Sequence, residues 1–194
     1  LVIGADGRRS TMARLVEAPT THRATSTTAC AYGYFRDLPC RGYEWAYRTS
    51  GMAGLIPTND EATCVFVAQR PDRLRRGGRP ALEEALADAS PELADRLRPA
   101  VLVSPVRTFV GQPGHPRTPW GPGWALVGHA GSWKDPISAH GLTDALRDAE
   151  LLACAAVRVL AGEASEADAF GCYQATRDRL TRPILAGSDE VAAM

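Results

Sequence analysis

Twice in this chain a short apolar run ends in a glycine-rich turn and is followed by a helix-forming segment. The first instance is Leu1-Val2-Ile3 leading into Gly4-Ala5-Asp6-Gly7, and the second is Trp124-Ala125-Leu126-Val127 leading into Gly128 and a loop that ends at Gly141. Strand, glycine turn and helix in that order predict α/β structure with parallel strands. Buried parallel strands read as short unbroken apolar runs, and glycine allows the tight turn or close approach needed at their carboxyl ends. Leu1 to Ile3 reads as the end of such a buried strand, whose neighbours should precede it, so the chain is expected to begin in mid-fold.

Ser10 is placed to cap a short helix to about Val16, ahead of Pro19. Beyond it the period changes. Cys30, Tyr32 and Tyr34 alternate with Ala31, Gly33 and Phe35, and Tyr43, Trp45 and Tyr47 alternate with Glu44, Ala46 and Arg48. Period two predicts strands. Gly54 to Pro57 and Thr63 to Gln69 flank the turn-rich Thr58-Asn59-Asp60-Glu61, which predicts a hairpin within an antiparallel sheet of three or four strands. Pro80 can open a helix with Leu82, Ala85, Leu86 and Ala89 on one face, and Pro91 a second with Leu93 and Leu97. Val101 to Val110 is extended, and Gly111 to Gly123 is a Pro- and Gly-rich loop.

After the second glycine loop, Leu142, Ala145, Leu146, Ala149, Leu152, Ala153, Ala156 and Leu160 fall on one helical stripe. Asp144, Arg147 and Asp148 lie largely opposite and are expected on a solvated face. Ser165-Glu166-Ala167-Asp168 has the form of an acidic capping box and starts a last helix to about Leu180, ended by Pro183. By pattern the chain divides into residues 1–24 with strand, turn and helix, residues 25–108 dominated by antiparallel strands, and residues 109–194 with a strand, a glycine loop and long helices.

Charge and composition exclude several classes of function. Lys+Arg and Asp+Glu both total 22, so no global field draws the chain to nucleic acid or anionic membrane. The basic run from Arg70 to Arg79 reads as a solvated loop. The five cysteines are odd in number and include no C-x-x-C pair, which argues against a disulfide framework or structural zinc and for a reducing cytoplasm. Apolar stretches such as Leu151 to Val157 fall far short of the ~20 residues a membrane helix requires, so no membrane span is expected. No two of His22, His115, His129 and His140 stand at i, i+4, and no metal site is expected.

Two stretches are left as candidates for chemistry. Asp6 stands between two glycines at a strand end, where it can either hold a ligand or satisfy backbone amides of the turn. In the second stretch a glycine-spaced loop with Pro136 runs into a helix whose N-terminal amides, near Gly141 and Leu142, favour an electron-rich ligand edge. The charge of a reduced flavin, spread over N1 and the C2 carbonyl, is such an edge. His140 at that helix start reads as a structural cap or a ligand-edge contact. Tyr43, Trp45 and Tyr47 read equally as sheet packing or as an aromatic substrate platform.

Val2-Ile3-Gly4-Ala5-Asp6-Gly7-Arg8-Arg9-Ser10, followed by Arg14, resembles the DG motif of FAD-dependent monooxygenases of the para-hydroxybenzoate hydroxylase-like class A flavoprotein family. Gly128-His129-Ala130-Gly131-Ser132-Trp133-Lys134-Asp135-Pro136-Ile137-Ser138-Ala139-His140-Gly141-Leu142 resembles the GD motif of the same family, about 120 residues later and in the family's order. The resemblance implies a partial FAD/NAD(P)-binding Rossmann-like domain with an inserted antiparallel substrate sheet. It implies FAD and NAD(P)H as cofactors and transfer of activated oxygen to a small, electron-rich organic substrate, an aromatic one among the options. Gly4, Asp6, Gly7 and Arg14 would hold the flavin from the first motif. Gly128, His129, Ala130, Asp135, Pro136, Gly141 and Leu142 would hold it from the second, with Tyr43, Trp45 and Tyr47 on the substrate side. No catalytic side chain is implied, because the flavin carries the chemistry.

Two departures bear on cofactor binding. No G-x-G-x-x-G is present, so the family's diphosphate cradle is missing, and the resemblance implies an N-terminally truncated chain. His129 stands where the family has an aspartate that accepts from a ribityl hydroxyl; losing a charged hydrogen bond weakens binding by about 1.5–3 kcal/mol unless the imidazole replaces it. These departures keep two other functions open: a non-enzymatic remnant or scaffold that binds a ligand or partner, and a geranylgeranyl-reductase-like flavin reductase or dehydrogenase.

Overall fold

The structure, a computed structural model, describes residues 1–193. In chain order its elements are β1 (Val2–Gly4), α1 (Thr11–Leu15), β2 (Ala29–Arg36), β3 (Glu44–Arg48), β4 (Gly51–Pro57), β5 (Thr63–Gln69), α2 (Gly78–Ala89) and α3 (Pro91–Leu97), then the short strands β6 (Val101–Leu102), β7 (Arg107–Phe109), β8 (His115–Pro116), β9 (Trp120–Gly121), β10 (Trp124–Leu126) and β11 (Ser132–Trp133), and finally α4 (Gly141–Leu160) and α5 (Glu166–Ala193). They form two compact units, one from residues 1–26 and 113–191, the other built on residues 27–112.

In the unit built on 27–112, alternation along the strands decides which face is covered. Ala31 and Phe35 of β2, Ala53 and Leu55 of β4, and Val65 and Val67 of β5 form one buried face. Against it pack Leu82, Ala85, Leu86 and Ala89 of α2 and Leu93 and Leu97 of α3, the residues that helical spacing picks out. The strand order is β3-β4-β5-β2, with β6 and β7 both pairing β2 on its other edge. The sheet therefore has more strands than the three or four expected, because the extended stretch after α3 adds two short ones. The β4–β5 hairpin closes through Asp60 and Glu61, both left-handed at φ 56°, with the Ala62 amide donating to the Asn59 carbonyl at 3.1 Å. Arg96 of α3 donates two hydrogen bonds, of 2.6 and 2.9 Å, to the carboxylate of Glu44 on β3 and so fastens helix layer to sheet.

In the other unit β1 lies parallel to β10, with Val2, Ile3 and Gly4 opposite Trp124, Ala125 and Leu126, and β9 closes the three-stranded sheet antiparallel to β10. Strands β8 and β9 form within the segment read as loop, and β8 pairs β11. The parallel pairing is as expected, but the burial is not: Leu1, Val2 and Ile3 are 46%, 55% and 46% exposed. β1 is the outer strand of its sheet, and among the described residues no further strand pairs its free edge.

Helix α4 differs from expectation in the face it buries. Asp144, Asp148, Leu152, Ala155 and Ala156 are turned inward, whereas Leu142, Leu146 and Leu160 are 76%, 65% and 75% exposed. The buried part of the helix packs Leu152, Ala155 and Ala156 with Ala169, Phe170 and Tyr173 of α5 and Ala125 of β10. α5 also continues through Pro183 instead of ending there. An interior proline loses one backbone bond, and the turns beyond it are held from outside the helix: Leu185 is buried, and Asp189 accepts the amides of Thr25 and Ser26 at 3.0 and 2.6 Å.

Because the inward face of α4 is the one through Leu152, Leu152→Ala should destabilise the chain by about 2–5 kcal/mol. Leu146→Ala, on the stripe the periodicity favours, should stay within about 0.5 kcal/mol. Urea unfolding of the two variants checks this, and reversed magnitudes would mean that the helix is rotated. The Glu44–Arg96 pair predicts a pH effect, since hydrogen bonding to Arg96 lowers the Glu44 carboxyl from 4.5 to about 2. A depressed acid contributes stability that is full above its unfolded value and lost as the pH falls from about 4.5 toward about 2. Glu44→Gln should flatten that part of the profile of unfolding midpoint against pH.

Candidate functional site

The β1–β10 register brings the two glycine turns together. Gly4 stands opposite Leu126, and the Val127 amide donates to the Gly4 carbonyl at 3.0 Å, so Gly4 to Gly7 and Gly128 to Ala130 leave side by side from the carboxyl ends of adjacent parallel strands. Crevices outside such strand ends are where open α/β sheets bind nucleotides.

The first turn is built around Asp6. Its carboxylate accepts from the Ser10 hydroxyl at 2.5 Å and from the Thr11 and Met12 amides at 2.6 and 3.1 Å. The Ser10 hydrogen bond, then the Met12 amide, holds this carboxyl below its usual value. Asp6 thus satisfies the open amides at the start of α1, while Ser10 accepts from the Ala13 amide. Gly4 is small for packing reasons: a methyl there would lie 2.7 Å from Met12 Cγ and 2.8 Å from a Leu126 methyl. Gly7 needs its freedom for a φ of 80°. Arg14 is exposed and reaches only its own helix, donating to Thr11 Oγ1 at 3.0 Å.

The second turn is clamped from below. Tyr173 donates to the Leu126 carbonyl at 2.8 Å and Arg117 to the Ala130 carbonyl at 2.7 Å. Gly128 has φ 57°, and a methyl there would meet Ala145 of α4 at 3.2 Å. Asp135 is buried and caps the turn Pro136–Ser138 by accepting from the Ile137 amide at 3.0 Å. Ala139 then takes a left-handed conformation, φ 54°, and α4 begins. His140 precedes it, exposed and without a side-chain cap hydrogen bond, so of the two roles read for it, cap or ligand-edge contact, the cap is not formed. The amides at Gly141 and Leu142 head a helix of 20 residues without a side-chain cap among the described residues.

His129 is half-buried beside that helix start. Its ring stands edge-on to Trp133, with centroids 4.9 Å apart, and a methyl at Gly141 would lie 2.7 Å from its Nε2. Burial, reinforced by the Lys134 ammonium, lowers the imidazole pKa and favours the neutral ring. A neutral ring nitrogen can accept or donate one hydrogen bond, which retains part of what an aspartate would offer. Arg8 lies over the Trp133 ring at 5.6 Å.

Under this loop lies a charged layer that the sequence reading assigned to solvent. Asp144 and Asp148 are 4% and 2% exposed. Lys134 pairs with Asp144, and Arg147 bridges Asp144 and Asp148 at 2.8 and 2.6 Å. Burial pushes the Asp148 carboxyl up, and Arg147 opposes the shift. Arg177, fully buried, donates to the Arg117 carbonyl at 2.8 Å and to Asp178. The signal in the sequence was the alternation of charge within about one turn, Asp144, Arg147, Asp148, after a loop that carries Lys134. Helical spacing cannot tell a solvated ion-pair face from a buried one.

Tyr43, Trp45 and Tyr47 belong to the unit built on 27–112. Tyr43 and Tyr47 are 72% and 71% exposed, and Trp45 meets Phe66 edge-on with ring centroids 5.3 Å apart. A shallow depression of about 560 Å³ in this unit is lined by Tyr34, Arg36, Asn59 and Asp60 rather than by this aromatic trio. Among the described residues no cluster of His, Cys, Asp and Glu could hold a metal ion, and no helix is long and apolar enough to cross a membrane.

Two nucleotide-type turns at adjacent parallel strand ends, with an antiparallel sheet inserted between them in the chain, define an FAD-binding flavoprotein fold. Solved structures bear this out. The chain has the fold of flavin-dependent monooxygenases and halogenases of the class A flavoprotein family. It is 27% identical to the myxobacterial chondrochloren halogenase CndH, with a TM-score of 0.78, covering 93% of this chain and 44% of that one. With PqsL of Pseudomonas aeruginosa, a probable FAD-dependent monooxygenase, it shares 24% identity at a TM-score of 0.76 over 100% of this chain and 55% of that one. The flavin-dependent brominase Bmp2 matches at 20% identity and a TM-score of 0.78, over 92% of this chain and 47% of that one. The chain thus spans about half the length of these structures. No protein-family profile and no curated protein sequence matches it.

The buried charge layer predicts strong coupling between Lys134 and Asp144. Lys134→Met alone should cost about 3–5 kcal/mol by leaving two buried carboxylates to the single charge of Arg147, and adding Asp144→Leu should restore most of it. A double-mutant cycle in urea measures this, and additive losses would mean that the two residues do not act as a pair.

Proposed function

We propose that this chain forms part of an FAD-dependent, NAD(P)H-using monooxygenase that hydroxylates a small aromatic substrate in the cytoplasm. The observation that carries this reading is the side-by-side exit of the two glycine turns at the ends of β1 and β10. The uncapped amides of Gly141 and Leu142 fit the electron-rich edge of an isoalloxazine. Bound there, FAD would supply the redox and oxygen chemistry.

The roles of the chain's own residues follow from their positions. Gly128, Ala130, Asp135 and Pro136 shape the loop along which the ribityl chain would run, and His129 would offer it one neutral hydrogen bond. Asp6 holds the first turn in place with Ser10, while Gly4 and Gly7 bring that turn close to the second. Arg14 would act only as a nearby cation. The sheet built on residues 27–112, with Tyr43, Trp45 and Tyr47, serves as the substrate domain in this reading. The domain segments 1–24 and 109–194 serve the flavin. The diphosphate cradle would come from a further segment carrying G-x-G-x-x-G, and the free edge of β1 and the apolar stripe of α4 are suited to pack against it.

One observation favours a second reading, that of a scaffold without flavin. The Asp6 carboxylate is occupied by Ser10 and two amides, and the His129 ring is in contact with Gly141. Titration with FAD and with riboflavin, which has no diphosphate to hold, separates the two, read by flavin absorbance and fluorescence. The flavoenzyme reading expects both flavins to bind and His129→Asp to tighten binding by about tenfold or more. If neither flavin binds to the folded wild type or to His129→Asp, the scaffold reading replaces it.

A further inference from the structure

Strand β3 is the outer strand of the six-stranded sheet: it pairs β4 along one side, and among the described residues no strand pairs the other. Arg48 and Gly51 stand opposite each other across the Thr49-Ser50 turn, which makes them the hydrogen-bonded pair that closes the hairpin. Bonded and non-bonded pairs alternate along an antiparallel ladder, so the backbone groups of Ala46 and Glu44 also face β4. Those of Trp45 and Tyr47 are turned to the open side. Native sheets blunt such an edge with proline, a bulge or charge. β3 has neither proline nor bulge, since its five residues pair β4 in unbroken register. Its two charged residues, Glu44 and Arg48, have opposite signs and stand at its two ends.

That placement makes the strand complementary to itself. Two copies running antiparallel with Ala46 opposite Ala46 set Glu44 opposite Arg48 and Trp45 opposite Tyr47, each contact repeated by the two-fold axis. The backbone agrees with this register. Trp45 and Tyr47, which carry the outward groups, become the hydrogen-bonded pair, and Glu44 and Arg48 the non-bonded pair whose side chains lie closer. Sliding by two residues in either direction separates Glu44 from Arg48. Trp45 and Tyr47 share one face and are 45% and 71% exposed, so each cross pair covers aromatic surface that is open to solvent in the single chain. Arg48 is exposed and takes part in none of the ion pairs among the described residues. Glu44 is held in place by Arg96 and by the Arg41 amide at 3.1 Å, and so presents a fixed carboxylate at the edge.

We propose that β3 is a homodimer edge, at which two copies of the chain join antiparallel about Ala46 into one continuous sheet. The interface is independent of flavin. With five residues a side it falls below the size of standard interfaces, so the dimer is a weak one, with a dissociation constant on the order of 10 µM.

Sedimentation equilibrium of the full chain, in a concentration series spanning that constant, tests it. The wild type should pass from monomer to dimer across the series. Tyr47→Pro removes an outward N–H without touching the β4 ladder and should weaken association by about tenfold or more. Arg48→Glu, which sets like charges opposite each other, should do the same, whereas Arg48→Lys should keep the dimer. Circular dichroism checks that each variant is folded, and Arg48→Glu, at an exposed position, carries the test if Tyr47→Pro disturbs the hairpin. Under mild oxidation Ala46→Cys should join the two copies through residue 46, the pair on the axis, and peptide mapping separates that bridge from any formed by the exposed Cys154 and Cys172. A wild type that stays monomeric throughout the series overturns the proposal. So does a dimer that Tyr47→Pro and Arg48→Glu leave intact, cross-linking that avoids residue 46, or a dimer that Leu146→Glu on the apolar face of α4 dissociates, since the contact then lies elsewhere.

Discussion

The parallel pairing of β1 with β10 is the constraint on which the candidate site depends. It is short, three residues on each strand, yet it brings into register two turns about 120 residues apart in the chain. So brief a ladder is held by its surroundings. Met12 packs into the space left by Gly4, Tyr173 holds the Leu126 carbonyl, and Arg117 holds the Ala130 carbonyl. Side chains from α1, α5 and the β8 segment thus converge on the last residues of two strands, and the turns beyond them inherit a defined position.

Beneath the second turn the structure uses charge where a simpler core would use apolar contact. A Lys134–Asp144 pair spans the loop between the turn and α4, and Arg147 ties Asp144 to Asp148. Buried ion pairs contribute little net stability against well-packed apolar residues, but removing one partner is severe, so such a layer resists alternative rotations of the helix. That is a physical reason for α4 to present Asp144 and Asp148 inward and to leave Leu142, Leu146 and Leu160 outward. The outward stripe and the free edge of β1 are both apolar or unpaired surface on the same unit, of the kind a further layer of structure covers.

The sheet unit divides its work by parity. One set of alternate residues builds a closed core with α2 and α3, and the other set carries the face on which Trp45 and Tyr47 of the edge strand stand. The α2 and α3 contacts were legible from Leu82, Leu86, Leu93 and Leu97, because proline starts and helical spacing act locally. The hairpin at Asp60 and Glu61 was legible for the same reason. The open edge was not, since it exists only once β3 has settled against β4 and left its other side unpaired. Tyr43, Trp45 and Tyr47 stood out in the sequence as aromatics, but only Trp45 is met from across the sheet, where Gly54 leaves room for Phe66.

The amino-acid sequence by itself determined the order of elements, the two glycine turns, the α2–α3 core and the family likeness that the fold later confirmed. Each of these rests on short-range chemistry: alternation, helical period, caps and positive-φ glycines. The tertiary structure decided which side of α4 is inside, that Asp6 and Asp135 serve backbone amides, that His129 lies against Gly141, and that β3 is the open edge of its sheet. Those outcomes depend on partners far away in the chain. A charged residue is solvated or buried according to whether an opposite charge arrives beside it, and no local pattern carries that information.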